Sequence, residues 1–158
     1  MTQPVQAIGF AGFGYSDEIK GQNNPAVQVN FGLGLMEKLS VSEGEFEGMI
    51  VRHGLLFNLD LNLGRNSVFT AAPTYTLTDY GTNLTLGVQP KVGVQFGDQT
   101  TLAFGGRVFL FSDIIVVPFI DLTCTPRTDE LRVTGGIQQF FDVFALGEAI
   151  ATSLAKLD

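Results

Sequence analysis

The chain has 158 residues, which suits one domain with a single core or a small closed barrel. Its 16 acidic residues outnumber 9 basic ones, giving a net charge of -7 with no Lys/Arg cluster, so nucleic-acid phosphate is a poor main partner. Hydrophobic residues make up 45% against only 16% charged, with a mean hydropathy of +0.25, a balance that leans toward lipid or a large assembly interface.

The first ten residues, "MTQPVQAIGF", show neither the basic start nor the apolar run of a secretory leader. Period-two alternation begins here and predicts strands over 4–14, 26–36, 46–52, 55–63, 67–77, 82–97, 100–111, 114–124 and 131–141. The intervening "DEIKGQNN", "RHG", "GRN", "DYG", "GDQT", "SD" and "PRTDE" have the composition of turns, so eight or nine strands follow one another through short connections. In the first strand, "GFAGFG" (residues 9–14) has the glycines of a phosphate loop but no helix start behind it; glycine as packing relief is the better reading.

The second strand sets Val27, Val29, Phe31, Leu33 and Leu35 against Gln28, Asn30, Gly32 and Gly34. After it, Glu43, Glu45 and Glu47 place three carboxylates at alternate positions. Oxygen ligands of that kind suit a hard cation, but the spacing lacks a known loop geometry and reads as a solvated acidic rim. His53, in "VRHGL", falls beside a predicted turn and reads as a rim side chain. Next, Phe57, Leu59, Leu61 and Leu63 oppose Asn58, Asp60 and Asn62. In the 82–97 segment, Leu84, Leu86, Val88, Val92, Val94 and Phe96 oppose Thr85, Gly87, Gln89, Lys91, Gly93 and Gln95. The sequon at Asn83 carries almost no weight without a secretory route.

The longest unbroken apolar run, Ile114 to Ile120, is far short of the ~20 residues a helical span needs. Cys124 is the only cysteine, so no intrachain disulfide can form, and a small buried side chain is the expected role. Beyond residue 141 the period changes. Val143, Leu146, Ile150 and Leu154 recur at steps of three and four behind Asp142, a candidate N-cap, and predict a short amphipathic helix.

Short links between long strands favour a meander, and closure removes the edges it would otherwise expose. The predicted fold is all-β: a single closed up-and-down antiparallel β-barrel of about eight strands with a short C-terminal helix. It is one domain over 1–158, with strands in 1–141 and a helical tail in 142–158. The composition of the two strand faces decides its polarity. Solvated strands favour Thr, Lys, Glu and Arg, whereas glycine and amides gain nothing from exposure but fit a narrow interior. With the Leu/Val/Phe side outward, the interior receives Asp60, Lys91, Arg107, Asp121 and Arg132, both signs of charge, expected to form a lumen network. Phe31, Leu33, Leu59, Leu61, Val92 and Val94 then face lipid or a partner. Asp60 and Asp121 could be posed as an acid/base pair, but nothing positions a substrate beside them, and salt bridging is the expected role.

The segment "PKVGVQFGDQTTLAFGGRVFLF", two alternating strands around a Gly-Asp turn with glycine pairs mid-strand, resembles hairpins of small bacterial outer-membrane β-barrels. The resemblance is one of pattern, extends over about residues 26–141 and implies a barrel in lipid. Against the class stand the absence of Trp, only three Tyr for an interfacial girdle, and a helix after the last strand. The expected function is a non-enzymatic, cofactor-free and metal-free barrel of the outer membrane, structural or weakly pore-forming, with the bilayer or copies of itself as partner and a homo-oligomeric state. Two alternatives accompany it. One is a soluble self-assembling subunit of a virion or other large complex; the other is a lipocalin-like carrier with its apolar stripes around a ligand. The tail stripe Val143, Leu146, Ile150 and Leu154 must pack on the barrel mouth, a neighbouring subunit or the membrane interface, and the subunit contact is favoured.

Overall fold

The structure, a computed structural model, describes residues 5–20, 25–38, 49–63, 66–79, 81–97, 99–111 and 116–155. Eight strands follow in chain order: β1 (Gln6–Lys20), β2 (Ala26–Lys38), β3 (Met49–Asn62), β4 (Ser67–Asp79), β5 (Leu84–Phe96), β6 (Thr101–Phe111), β7 (Val117–Thr125) and β8 (Glu130–Asp142). Each pairs antiparallel with the next, and β8 pairs with β1, so the sheet closes on itself. One helix, α1 (Val143–Leu154), follows directly.

The register fixes the barrel's girth. From Gln6, cross-strand partners lead through Met36, Gly54 and Thr74, then Gln89, Arg107, Asp121 and Thr134, and return to β1 at Ser16. The step from Thr74 to Gln89 is spanned by a side-chain hydrogen bond. That displacement along β1 tilts the strands, and eight tilted strands leave an interior just wide enough for side chains. Tilted spans of about 9–11 residues cross a bilayer, and the shortest strand, β7, has 9 residues.

Two predicted strands, 46–52 and 55–63, are one strand in the structure, because "RHG" is not a turn. Arg52, His53 and Gly54 pair in register with Lys38, Glu37 and Met36 on one side and Thr76, Tyr75 and Thr74 on the other. The predicted turn "DEIKGQNN" likewise begins with strand: β1 runs on through Asp17–Lys20, with a bulge between Glu18 and Lys20 against β8. Glu43, Glu45 and Glu47 lie outside the described residues.

Alternation survives closure. On β2, Phe31, Leu33 and Leu35 are exposed while Gln28 and Asn30 are buried; on β5, Leu84, Leu86, Val88 and Val92 are exposed while Thr85, Gln89 and Lys91 are buried. The polar stripes point into the barrel and the apolar stripes point out. Toward the mouth that carries both termini, the interior is apolar: Phe10, Met36 and Leu56 form one buried cluster and Phe109, Val117 and Phe119 another, with Phe140 packed against both. Phe140 lies 5.5 Å from Phe10 and 5.2 Å from Phe109 between ring centroids. Glycines make room for this plug. A Cβ at Gly32 would fall inside the Phe10 ring, and one at Gly87 inside the Phe109 ring.

The β4–β5 ladder is interrupted once. It pairs up to Ala71 with Val92, resumes at Tyr75 with Val88, and in register sets Pro73 opposite Pro90, neither of which has an N–H to donate. Both prolines face outward; on the lumen side Gln89 Nε2 donates to Thr74 Oγ1 at 3.0 Å and ties the two strands across the gap.

Candidate functional site

Parity along each strand delivers charged side chains to the middle of the lumen from sequence-distant strands. Asp60 comes from β3, Lys91 from β5, Arg107 from β6 and Asp121 from β7, and all four are buried. Arg107 donates through Nη2 to Asp60 Oδ1 at 2.8 Å and through Nε to Asp121 Oδ2 at 2.8 Å. Lys91 Nζ donates to Asp60 Oδ2 at 3.1 Å and also to Asp121 Oδ2. Each carboxylate therefore meets both cations, and the quartet is neutral. An unpaired charge at this depth would cost several kcal/mol, roughly the desolvation penalty of one buried ion.

The quartet is tied to its surroundings. Arg107 Nη1 donates to Gln138 Oε1 on β8 at 3.3 Å, and Asp121 Oδ1 accepts from Thr123 Oγ1 at 3.1 Å. The guanidinium also lies between two rings of the plug, 5.3 Å from the Phe10 centroid and 4.6 Å from that of Phe119. Arg107 thus joins the charged layer to the apolar one and links four strands across the lumen. In register beside Asp60 and one another, Asn30, Asn58 and Thr70 are buried with amide and hydroxyl atoms that have no hydrogen-bond partner among the described residues.

Arg132 is buried in the same interior but belongs to a second group nearer the opposite mouth. Its guanidinium stands 3.6 Å from Glu130 and 3.9 Å from Glu18. Glu130 Oε2 accepts from Gln95 Nε2 at 3.2 Å and from Thr125 Oγ1 at 3.4 Å. The five predicted lumen charges thus fall into two layers rather than one. Sequence reading missed Glu18 and Glu130 as partners of Arg132, and Phe10, Phe109 and Phe119 as interior residues. Parity could have found them. Phe109 stands two positions from Arg107, Phe119 two from Asp121, and Glu130 two from Arg132, each on the same strand face.

Outside, Phe31, Leu33, Leu61 and Val92 are exposed. Leu59 and Val94 share that face but are half-covered by cross-strand neighbours, Phe31 and Phe69 for Leu59 and Phe69 and Leu102 for Val94. Ile120 is 65% exposed and Leu102 62%, values that in water would mark an unusually apolar surface. His53 Nε2 sits 3.0 Å from Glu37 Oε1, half-exposed within β3 and not beside a turn. Cys124 is half-buried on β7. Among the described residues no group of His, Cys, Asp and Glu has the arrangement of a metal site.

The fold is a closed eight-stranded antiparallel barrel with its polarity inside out. An apolar ligand cavity of the lipocalin-like kind is not formed by the stripes, because they lie on the outer wall. No family model and no curated protein sequence matches the chain. Among solved structures, one described as "De novo design of transmembrane beta-barrels" aligns with 89% of this chain and 100% of its own at a TM-score of 0.44 and 11% identity.

Proposed function

We propose that this chain is a membrane-embedded β-barrel of structural type, with a lumen closed to ions and an outer wall solvated by lipid. One observation carries the reading: the polarity is inverted on all eight strands. Exposed Phe13, Leu33, Phe57, Phe69, Val92, Phe104, Ile120 and Ile137 line the outer wall, strand by strand, while buried Ser16, Asn30, Asp60, Thr70, Lys91, Arg107, Asp121 and Gln138 line the interior. In water this distribution would expose the apolar outer wall, whereas in a bilayer that wall meets lipid and the paired lumen charges stay enclosed as before. The packing supports the closed character, since the phenylalanine plug and the ion quartet occupy successive layers of the lumen. An outer membrane is the natural host for a barrel of this kind.

Refolding into phosphatidylcholine vesicles tests the proposal. The expected result is co-flotation with the vesicles, protease resistance of the strands and single-channel recordings at the bilayer's own leak. Soluble, monodisperse monomer without detergent overturns membrane insertion. Large soluble oligomers would instead establish the self-assembling subunit, and discrete conductance steps would establish a pore.

A further inference from the structure

Among the described residues, α1 meets chiefly the ends of β1 and β8. Asp142 ends β8 and caps the helix at once, its Oδ1 accepting from Phe144 N at 2.9 Å and Ala145 N at 3.0 Å, so no linker lets α1 swing far from the rim. Val143 is half-covered. The other described side chains of the helix, Phe144, Leu146 and Ile150 among them, are exposed. Val143, Leu146 and Ile150 share one helical stripe, and Glu148 is the helix's single charged residue. A helix of 12 residues is marginal in water by itself, so its exposed apolar side chains call for a surface beyond the described residues.

We infer that α1 is an interfacial anchor, lying in the headgroup region of the leaflet at the mouth that carries both termini, with its Val143/Leu146/Ile150 stripe toward the acyl chains. This rests on the membrane-barrel reading and adds a second lipid contact of a different kind. One feature selects lipid over another occupant, and two more fix how the helix would sit on it. The helix starts where the outer apolar wall ends, at the rim formed by β1, β2 and β8, so its apolar side chains adjoin a wall read as facing acyl chains: Val5 and Leu35 are exposed beside that rim. At about 1.5 Å per residue α1 is ~18 Å long, too short for a core of ~30 Å, so it lies along the interface and does not span. It also has no basic residue, in its last turn or elsewhere, so its attraction is apolar and independent of anionic lipid.

The chain has no tryptophan, which makes each introduced one a unique reporter. Full-length Phe144→Trp, Ile150→Trp and Leu122→Trp are refolded into zwitterionic phosphatidylcholine vesicles whose lipids are brominated either near the headgroup or near the chain ends. Trp at 144 and 150 should be quenched several-fold more by shallow than by deep bromines, whereas Trp at 122, on the barrel wall, should be quenched strongly by deep ones. Glu148→Trp should emit at longer wavelength than Ile150→Trp. Adding anionic lipid should leave the pattern unchanged. If Trp at 122 is quenched but Trp at 144 and 150 is blue-shifted and untouched by either bromine, the helix is buried against a second copy of the chain; if the two helix reporters emit as in water, it is free. Either result overturns the anchor and leaves the barrel in the membrane. Absence of quenching at 122 overturns the membrane reading itself, and the anchor with it.

Discussion

Asp121→Ala is the most informative perturbation of the lumen. Asp121 accepts from buried Lys91 and Arg107 and from the Thr123 hydroxyl, so its removal deletes two ion-pair hydrogen bonds of roughly 1.5–3 kcal/mol each and a third bond besides. It also leaves two cations to share Asp60, an uncompensated positive charge in a sealed interior. Repacking and water entry recover part of this, and a net loss of about 3–5 kcal/mol is expected. The control is Glu37→Ala at the half-exposed pair with His53, expected to cost only about 0–1 kcal/mol. The double variant Asp121→Leu/Lys91→Met restores neutrality and keeps the Arg107–Asp60 bond at 2.8 Å, so most of the loss should return. Denaturant unfolding in lipid or detergent, followed by far-ultraviolet circular dichroism, reads all three. Equal and small losses for Asp121→Ala and Glu37→Ala, or a double variant no better than the single one, would show that the quartet does not hold the barrel together.

Val92→Arg, on the exposed outer wall of β5, should cost about 2–4 kcal/mol in bilayer if that wall meets the hydrocarbon core, and the same unfolding assay checks it. Gly32→Val drives a side chain into the Phe10 ring and should destabilise by roughly 1–3 kcal/mol, with Phe10→Ala in the same chain recovering part of the loss; an additive pair would place the two residues apart. Thr70→Val removes a buried hydroxyl that has no partner among the described residues and should be neutral or stabilising by about 1 kcal/mol, whereas a clear loss of stability would reveal a bond the hydroxyl makes. Asp142→Ala removes the cap of α1 and should cost about 1 kcal/mol locally, seen as faster amide exchange at Phe144 and Ala145 with the strands unaffected.

The fold was legible because a strand's side chains alternate with a period of two, a property of the chain alone. The repeated opposition of Leu, Val and Phe to Asn, Gln, Gly and Asp, as in "LFNLDLNLG", marked the strands, their number to within one, and the face each residue would occupy. The change to helical spacing behind Asp142 marked the tail for the same reason, and the cap bonds in the structure are those the residue type calls for. "RHG" misled because a glycine within a strand has the same letters as a glycine in a turn. Only the backbone passing close by, where a Cβ at Gly54 would meet Met36, explains why it is there.

What tertiary structure decided was which residues meet. Asp60, Lys91, Arg107 and Asp121 each stand on the inward face of their own strand but are separated by 14 to 47 positions along the chain in the hydrogen bonds that join them. Nothing local sets that pairing; the stagger of the closed sheet does, by bringing β3, β5, β6 and β7 to one level of the lumen. The same stagger lifts Arg132 away to Glu18 and Glu130, though it too faces inward. The phenylalanines divide between lumen and outer wall by parity, but only closure shows that Phe10, Phe109 and Phe119 converge into a plug around Arg107. A strand knows its own two faces, and the distance between faces of different strands exists only once the barrel has closed.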